Sequence, residues 1–121
     1  LYKSVKEYVP ADAGGKYKVF LNMFLSVSDP ATYASTWLKL MEDNGASDAY
    51  GIREVVAGDT EGVTHYLWIG FESMADLAKG TDQINASEEL AAARETFAGI
   101  REIKRTAILT SGYESITETM E

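Results

Sequence analysis

The chain contains one histidine, His65, and no other side chain in it has an ordinary pKa close to neutrality. General acid or base chemistry at pH 7 would fall to His65 first. The competing assignment is a buried imidazole that hydrogen-bonds a backbone carbonyl or a carboxylate. A haem would also need His65 as its axial ligand, because cysteine is absent. No metal site and no cofactor are expected, since one histidine cannot supply the multi-histidine set that zinc prefers. The lack of cysteine also removes a thiolate nucleophile and a cysteine-ligated cluster. The second candidate is Asn22. It interrupts an apolar strand face shared with Phe20 and Phe24, and an amide in that setting needs partners from a ligand, the backbone or water.

Arg53, Glu54 and Arg105 fall on strands and could meet across a sheet or a dimer contact. Structural ion pairing is favoured over binding of a carboxylate ligand, because inward-pointing charges are usually paired. Residues 58–62 (GDTEG) carry two glycines but no lysine and no following helix, so they read as a hairpin turn, not a phosphate loop. Glu42-Asp43 and Glu88-Glu89 are neighbours in sequence, which on a helix do not face each other. Both pairs read as solvated helix ends.

The elements that must position these residues follow from periodicity and punctuation. Residues 1–16 read as an N-terminal arm: a short β-like piece from Val5 to Val9, then a joint at Pro10, Ala11, Asp12, Ala13, Gly14 and Gly15. Tyr17 to Val27 alternates as a strand, with Tyr17, Val19, Leu21, Met23 and Leu25 on one face and Phe20 and Phe24 on the other. Asp29 before Pro30 marks a helix start, Ala34, Trp37, Leu38 and Met41 follow helical spacing, and Asn44-Gly45 marks the stop. Trp37 is expected to pack on the sheet. Ala49 to Ala57 and Val63 to Phe71 form a hairpin around residues 58–62. On its second strand Val63, His65, Leu67, Ile69 and Phe71 share one face, and Thr64, Tyr66, Trp68 and Gly70 the other. Ser73 opens a short helix that should weaken at Gly80, and Ser87 caps a second piece that ends at Gly99. Glu102 to Tyr113 is the last strand, and residues 114–121 form a polar tail.

The order is strand, helix, strand, strand, broken helix, strand. It matches a ferredoxin-like β-α-β-β-α-β unit over residues 17–113, an α+β fold with a four-stranded antiparallel sheet and helices on one face. The strands are apolar on both faces, although helices cover only one. A second copy laid sheet to sheet across a twofold axis is the simplest cover.

This order, with His65-Tyr66-Leu67-Trp68 in the third strand and a segmented second helix, resembles the dimeric α/β-barrel superfamily. The resemblance is one of topology and spans about residues 17–113. Families in that group include quinone-forming antibiotic biosynthesis monooxygenases, haem-degrading enzymes, muconolactone isomerases and stress-responsive barrel proteins. The resemblance implies a homodimer and does not select a chemistry. In the monooxygenases that act without a cofactor, asparagine, tryptophan, tyrosine and arginine side chains line an aromatic substrate pocket. By that likeness Asn22, Trp68, Tyr66 and Trp37 could line such a pocket; Trp37, Tyr66, Trp68, Phe20 and Phe24 are expected as the ligand-pocket residues, with His65 or Asn22 orienting or deprotonating a phenolic substrate.

Composition narrows the alternatives. With 121 residues the chain is one domain, long enough to hold a core without disulfides. The net charge of −8 repels phosphate backbones and anionic lipid surfaces, so neither nucleic acid nor membrane is an expected partner. No stretch approaches the ~20 apolar residues of a membrane span, and no signal-peptide pattern opens the chain. A soluble protein is expected; its compartment stays open, with the cytoplasm favoured. Two functions compete: a homodimer whose apolar, aromatic-lined pocket binds or transforms a small apolar or aromatic molecule, and a non-catalytic dimeric interaction or structural module. In the second, residues 1–9 add a strand to a sheet edge in the same subunit or its partner. A minor third option makes the chain one repeat of a longer protein.

Overall fold

The computed structural model describes residues 2–10, 16–55, 62–110 and 116–119, and for 2–5 and 116–119 the backbone alone. The fold is α+β: strands β1 (Tyr2–Tyr8), β2 (Val19–Val27), β3 (Tyr50–Val55), β4 (His65–Phe71), β5 (Arg101–Thr110) and β6 (Ile116–Thr119), with helices α1 (Pro30–Asn44), α2 (Met74–Asn85) and α3 (Glu88–Ala98). The strands form one open sheet in the order β1-β3-β4-β2-β5-β6, every neighbouring pair antiparallel. Six strands take the place of the four expected. The extra two come from the arm, whose strand starts at Tyr2 and pairs with β3 of the same chain, and from the tail, in which Ile116–Thr119 pairs with β5. Both pair on edges of the expected sheet, whose unpaired N–H and C=O groups recruit strands of modest propensity. The hairpin residues 56–61 and the end of the last expected strand, 111–113, lie outside the described residues.

Each helix starts where the sequence places it, and for the expected reason. Asp29 accepts a hydrogen bond from the Thr32 N–H at 3.3 Å, and Pro30 follows it into α1. Gly45 closes α1 at φ +69°, a left-handed conformation that suits glycine. Ser73 and Ser87 accept from the N–H groups of Asp76 and Leu90, each at 3.1 Å, and Glu88 and Glu89 occupy the positive end of α3. Gly80 does not weaken α2, which runs through it to Asn85. Its role is close approach: a Cβ at Gly80 would lie 2.4 Å from Phe71 Cε1, so glycine lets the helix settle onto the buried Phe71 ring.

All three helices pack on one face of the sheet. Tyr33, Trp37, Leu40 and Met41 of α1, Leu77 of α2 and Ala93 and Phe97 of α3 meet Val19, Leu25, Ile52, Leu67, Ile69 and Phe71 from the strands. A smaller cluster on the opposite face joins Ala49, Tyr66 and Trp68 with Tyr17, Phe20 and Phe24. The alternation expected for β2 and β4 therefore holds, except that Tyr17, which precedes β2, packs with Phe20 and Phe24 and not with Val19. Among the described residues no helix is long and apolar enough to cross a membrane.

Candidate functional site

Strand register builds a hollow on the sheet face opposite the helices. Three rows of side chains cross that face. The first runs Leu109, Phe20, Gly70, with Ala49 beside Gly70 through a 2.8 Å backbone hydrogen bond. The second runs Ala107, Asn22, Trp68, Gly51, Glu7, and the third Arg105, Phe24, Tyr66, Arg53. Large rings thus alternate with Gly51, Gly70, Ala49 and Ala107, and the space above the small residues is left to the rings. The result is a cavity of about 450 Å³ whose lining includes Phe20, Asn22, Tyr66, Trp68, Arg53 and Glu7. Its size and its mostly apolar wall with a few polar groups are those of a small-molecule site.

The N-terminal segment closes one side. β1 lies at the outer edge next to β3, and two strands, β3 and β4, separate it from β2. Val9, after β1, and Tyr17, before β2, both line the cavity. Tyr17 is held by a hydrogen bond from its hydroxyl to Asp48. Glu7 forms an ion pair with Arg53, whose Nη1 also donates to the Tyr66 hydroxyl at 2.8 Å. The carboxylate raises the Arg53 pKa further above its already high value, so Arg53 is a permanent cation. Arg53 was expected to pair structurally, and it does. Its partner is Glu7 rather than its neighbour Glu54, because alternation sends Glu54 to the other face. Arg105 stacks over Phe24 at 4.2 Å.

Trp68 contributes an unexplained polar atom to this region. Its Nε1–H is buried and has no hydrogen-bond partner among the described residues. The indole lies directly over Gly51: a Cβ there would stand 2.5 Å from Trp68 Nε1 and 2.8 Å from Glu7 Cγ. The Glu7 stem and the indole N–H therefore converge above the same α-carbon.

The structure brings together Phe20, Asn22, Tyr66 and Trp68 around one cavity, and Phe24 packs beside them at 5.6 Å from the Tyr66 ring. It does not bring Trp37 there. Trp37 lies on the helix face, edge-on to Tyr50 at 5.7 Å, and lines a separate cavity of about 390 Å³ between helices and sheet. Nor does it bring His65 to Asn22. Successive residues of a strand point to opposite faces, so His65, in step with Leu67 and Ile69, is buried on the helix side, whereas Asn22 is on the other. The two alternatives for a catalytic side chain, His65 or Asn22, thus lie on opposite layers of the sheet. Glu7 and Arg53 frame the site from β1 and β3. Glu7 lies in the segment read as an arm, where sequence gives no signal of contact with residue 53.

Neither a protein-family model nor a curated protein sequence matches the chain. Among the described residues no group of three or more histidine or acidic side chains could hold a metal ion.

His65 has a structural consequence that can be measured. Its Nδ1 lies 2.9 Å from Thr64 Oγ1, which also accepts from the Val27 N–H at 2.9 Å. Burial pushes its pKa below the usual imidazole value, and Glu54 across the ladder offsets this only in part. The folded state thus favours the neutral ring, while the unfolded chain takes up a proton near pH 6.5. The sign follows: stability is flat above about pH 6.5 and falls as pH drops from there toward the folded-state pKa, at no more than ~1.4 kcal/mol per unit. Urea unfolding at pH 7.5, 6.0 and 5.0 should show this slope in the native chain and lose it in His65→Gln.

Proposed function

We propose that this protein is a homodimeric small-molecule-binding protein of ferredoxin-like topology whose ligand, an apolar or aromatic molecule, sits in the hollow on the helix-free sheet face. What carries this reading is the cavity itself: Phe20, Tyr66 and Trp68 wall it, Asn22 stands beside Trp68 within it, and glycine and alanine hold its floor open. Among the described residues no helix covers that face, and Phe20, Phe24 and Leu109 remain only partly buried on it. A second copy facing it would bury those side chains and close the cavity, as the resemblance to dimeric α/β barrels leads one to expect. His65 faces the other layer, so this is a binding site first. Any reaction in it would rest on positioning by Asn22, Tyr66 and Arg53.

Two measurements test the reading. Native mass spectrometry of the purified protein should give a species near twice 13.3 kDa; a stable monomer at micromolar concentration overturns the dimer. With ¹⁵N-labelled protein, the two indole N–H resonances report on opposite faces, Trp68 on the cavity and Trp37 on the helix layer. Saturating 2-naphthamide should move the Trp68 signal and leave that of Trp37 in place. Movement of the Trp37 signal alone would put the ligand between helices and sheet and refute the proposed site.

A further inference from the structure

We infer that the hollow on the helix-free face is a receptor for an aromatic carboxylate, in which the ligand's carboxylate takes Arg53 and displaces Glu7 onto the indole N–H of Trp68. The inference rests on the pocket reading above and names the ligand class for it.

Three observations carry it. The first is the state of Arg53, which lines the cavity and spends only Nε on Glu7 and one Nη1 hydrogen on Tyr66. A guanidinium has five N–H donors in a planar fork suited to a carboxylate. The Arg53 side chain is 37% exposed, so its remaining donors are within reach of a molecule in the hollow. Glu7 thus already occupies the position that a ligand carboxylate would take, as an internal surrogate.

The second is the orphaned Trp68 Nε1. An indole nitrogen is a donor only, and burying it without an acceptor is costly. The Glu7 stem meets the indole over Gly51. A change of Glu7 rotamer carries its carboxylate from Arg53 to Trp68 Nε1, and the donor left unpaired in this structure is then satisfied. The third is the pair of rings in the row that carries Arg53. Between Arg53 and Arg105 lie Tyr66 and Phe24, stacked at 5.6 Å, which give an aromatic body somewhere to rest.

The test compares 2-naphthoate with the neutral 2-naphthamide by calorimetry and by indole N–H spectra, in the native chain and in Glu7→Gln. Trp68→Phe identifies the Trp68 resonance. The naphthoate should bind about tenfold more tightly than the amide, the worth of one charge-assisted hydrogen bond over a neutral one. It should also move the Trp68 indole proton downfield, as expected for an N–H that gains a carboxylate acceptor. In Glu7→Gln the naphthoate should bind more tightly still, because the competing carboxylate is gone, and the downfield shift should vanish. Equal affinity for the two probes overturns the carboxylate inference while leaving the pocket standing. Tighter naphthoate binding with an unmoved indole proton overturns the displacement of Glu7. If neither probe perturbs Trp68 in the native chain, the pocket reading fails and this inference falls with it.

Discussion

Phe97→Ala should cost about 3–5 kcal/mol of folding stability, read as a lower urea midpoint at unchanged slope. Phe97 is only 2% exposed, and it joins α3 to the rest of the helix layer. Its ring lies 4.9 Å from that of Tyr33 on α1, and the Arg101 guanidinium covers it at 4.5 Å while bonding the Tyr33 hydroxyl at 3.0 Å. Truncation leaves a cavity on which three elements border, and none can close it without moving a capped helix. A loss of that size is a large share of the ~5–15 kcal/mol by which domains are stable. Phe24→Ala provides the contrast. Phe24 is only partly buried on the helix-free face, so its removal should cost the isolated subunit less, and the loss should grow with protein concentration if a second copy covers that face. A loss independent of concentration would argue against that cover.

Gly51→Ala should cost about 1–3 kcal/mol and disorganise the cavity without touching the helix layer. The added methyl would stand 2.5 Å from Trp68 Nε1 and 2.9 Å from Trp68 Cε2, as well as 2.8 Å from Glu7 Cγ. Glu7 can swing aside, but the indole is rigid and wedged in its row between Gly51 and Asn22. Relief therefore requires the ring to turn or β1 to lift. The Trp68 indole resonance should move strongly, that of Trp37 should stay, and affinity for 2-naphthamide should drop. An unshifted Trp68 signal with unaltered stability would mean that the close approach over Gly51 does not constrain the site.

These two effects separate what is legible in sequence from what is not. The two-sided strands were legible because period-two alternation is local: Leu21 and Met23 against Phe20 and Asn22 can be read without knowing any partner. The helix starts were legible because a cap and the N–H it satisfies lie within three residues. Four of the cavity residues, Phe20, Asn22, Tyr66 and Trp68, were legible as large or polar side chains on one strand face. Trp37 was not separable from them by type, since an aromatic ring carries no mark of the layer it will enter.

The sequence by itself determined the order of the elements from β2 to β5, the helix starts and the two apolar faces of β2 and β4, because each depends on neighbours within a few positions along the chain. The tertiary structure decided the rest. It placed the arm and the tail on the sheet edges, because edge pairing depends on which backbone groups remain unpaired once the central strands have assembled. It set Glu7 against Arg53, forty-six positions away, and aligned Gly51 beneath Trp68, because lateral register is a relation between strands that no single strand encodes. The hollow exists only in that alignment: moving one strand by one residue would turn its rings to the opposite face and close the site.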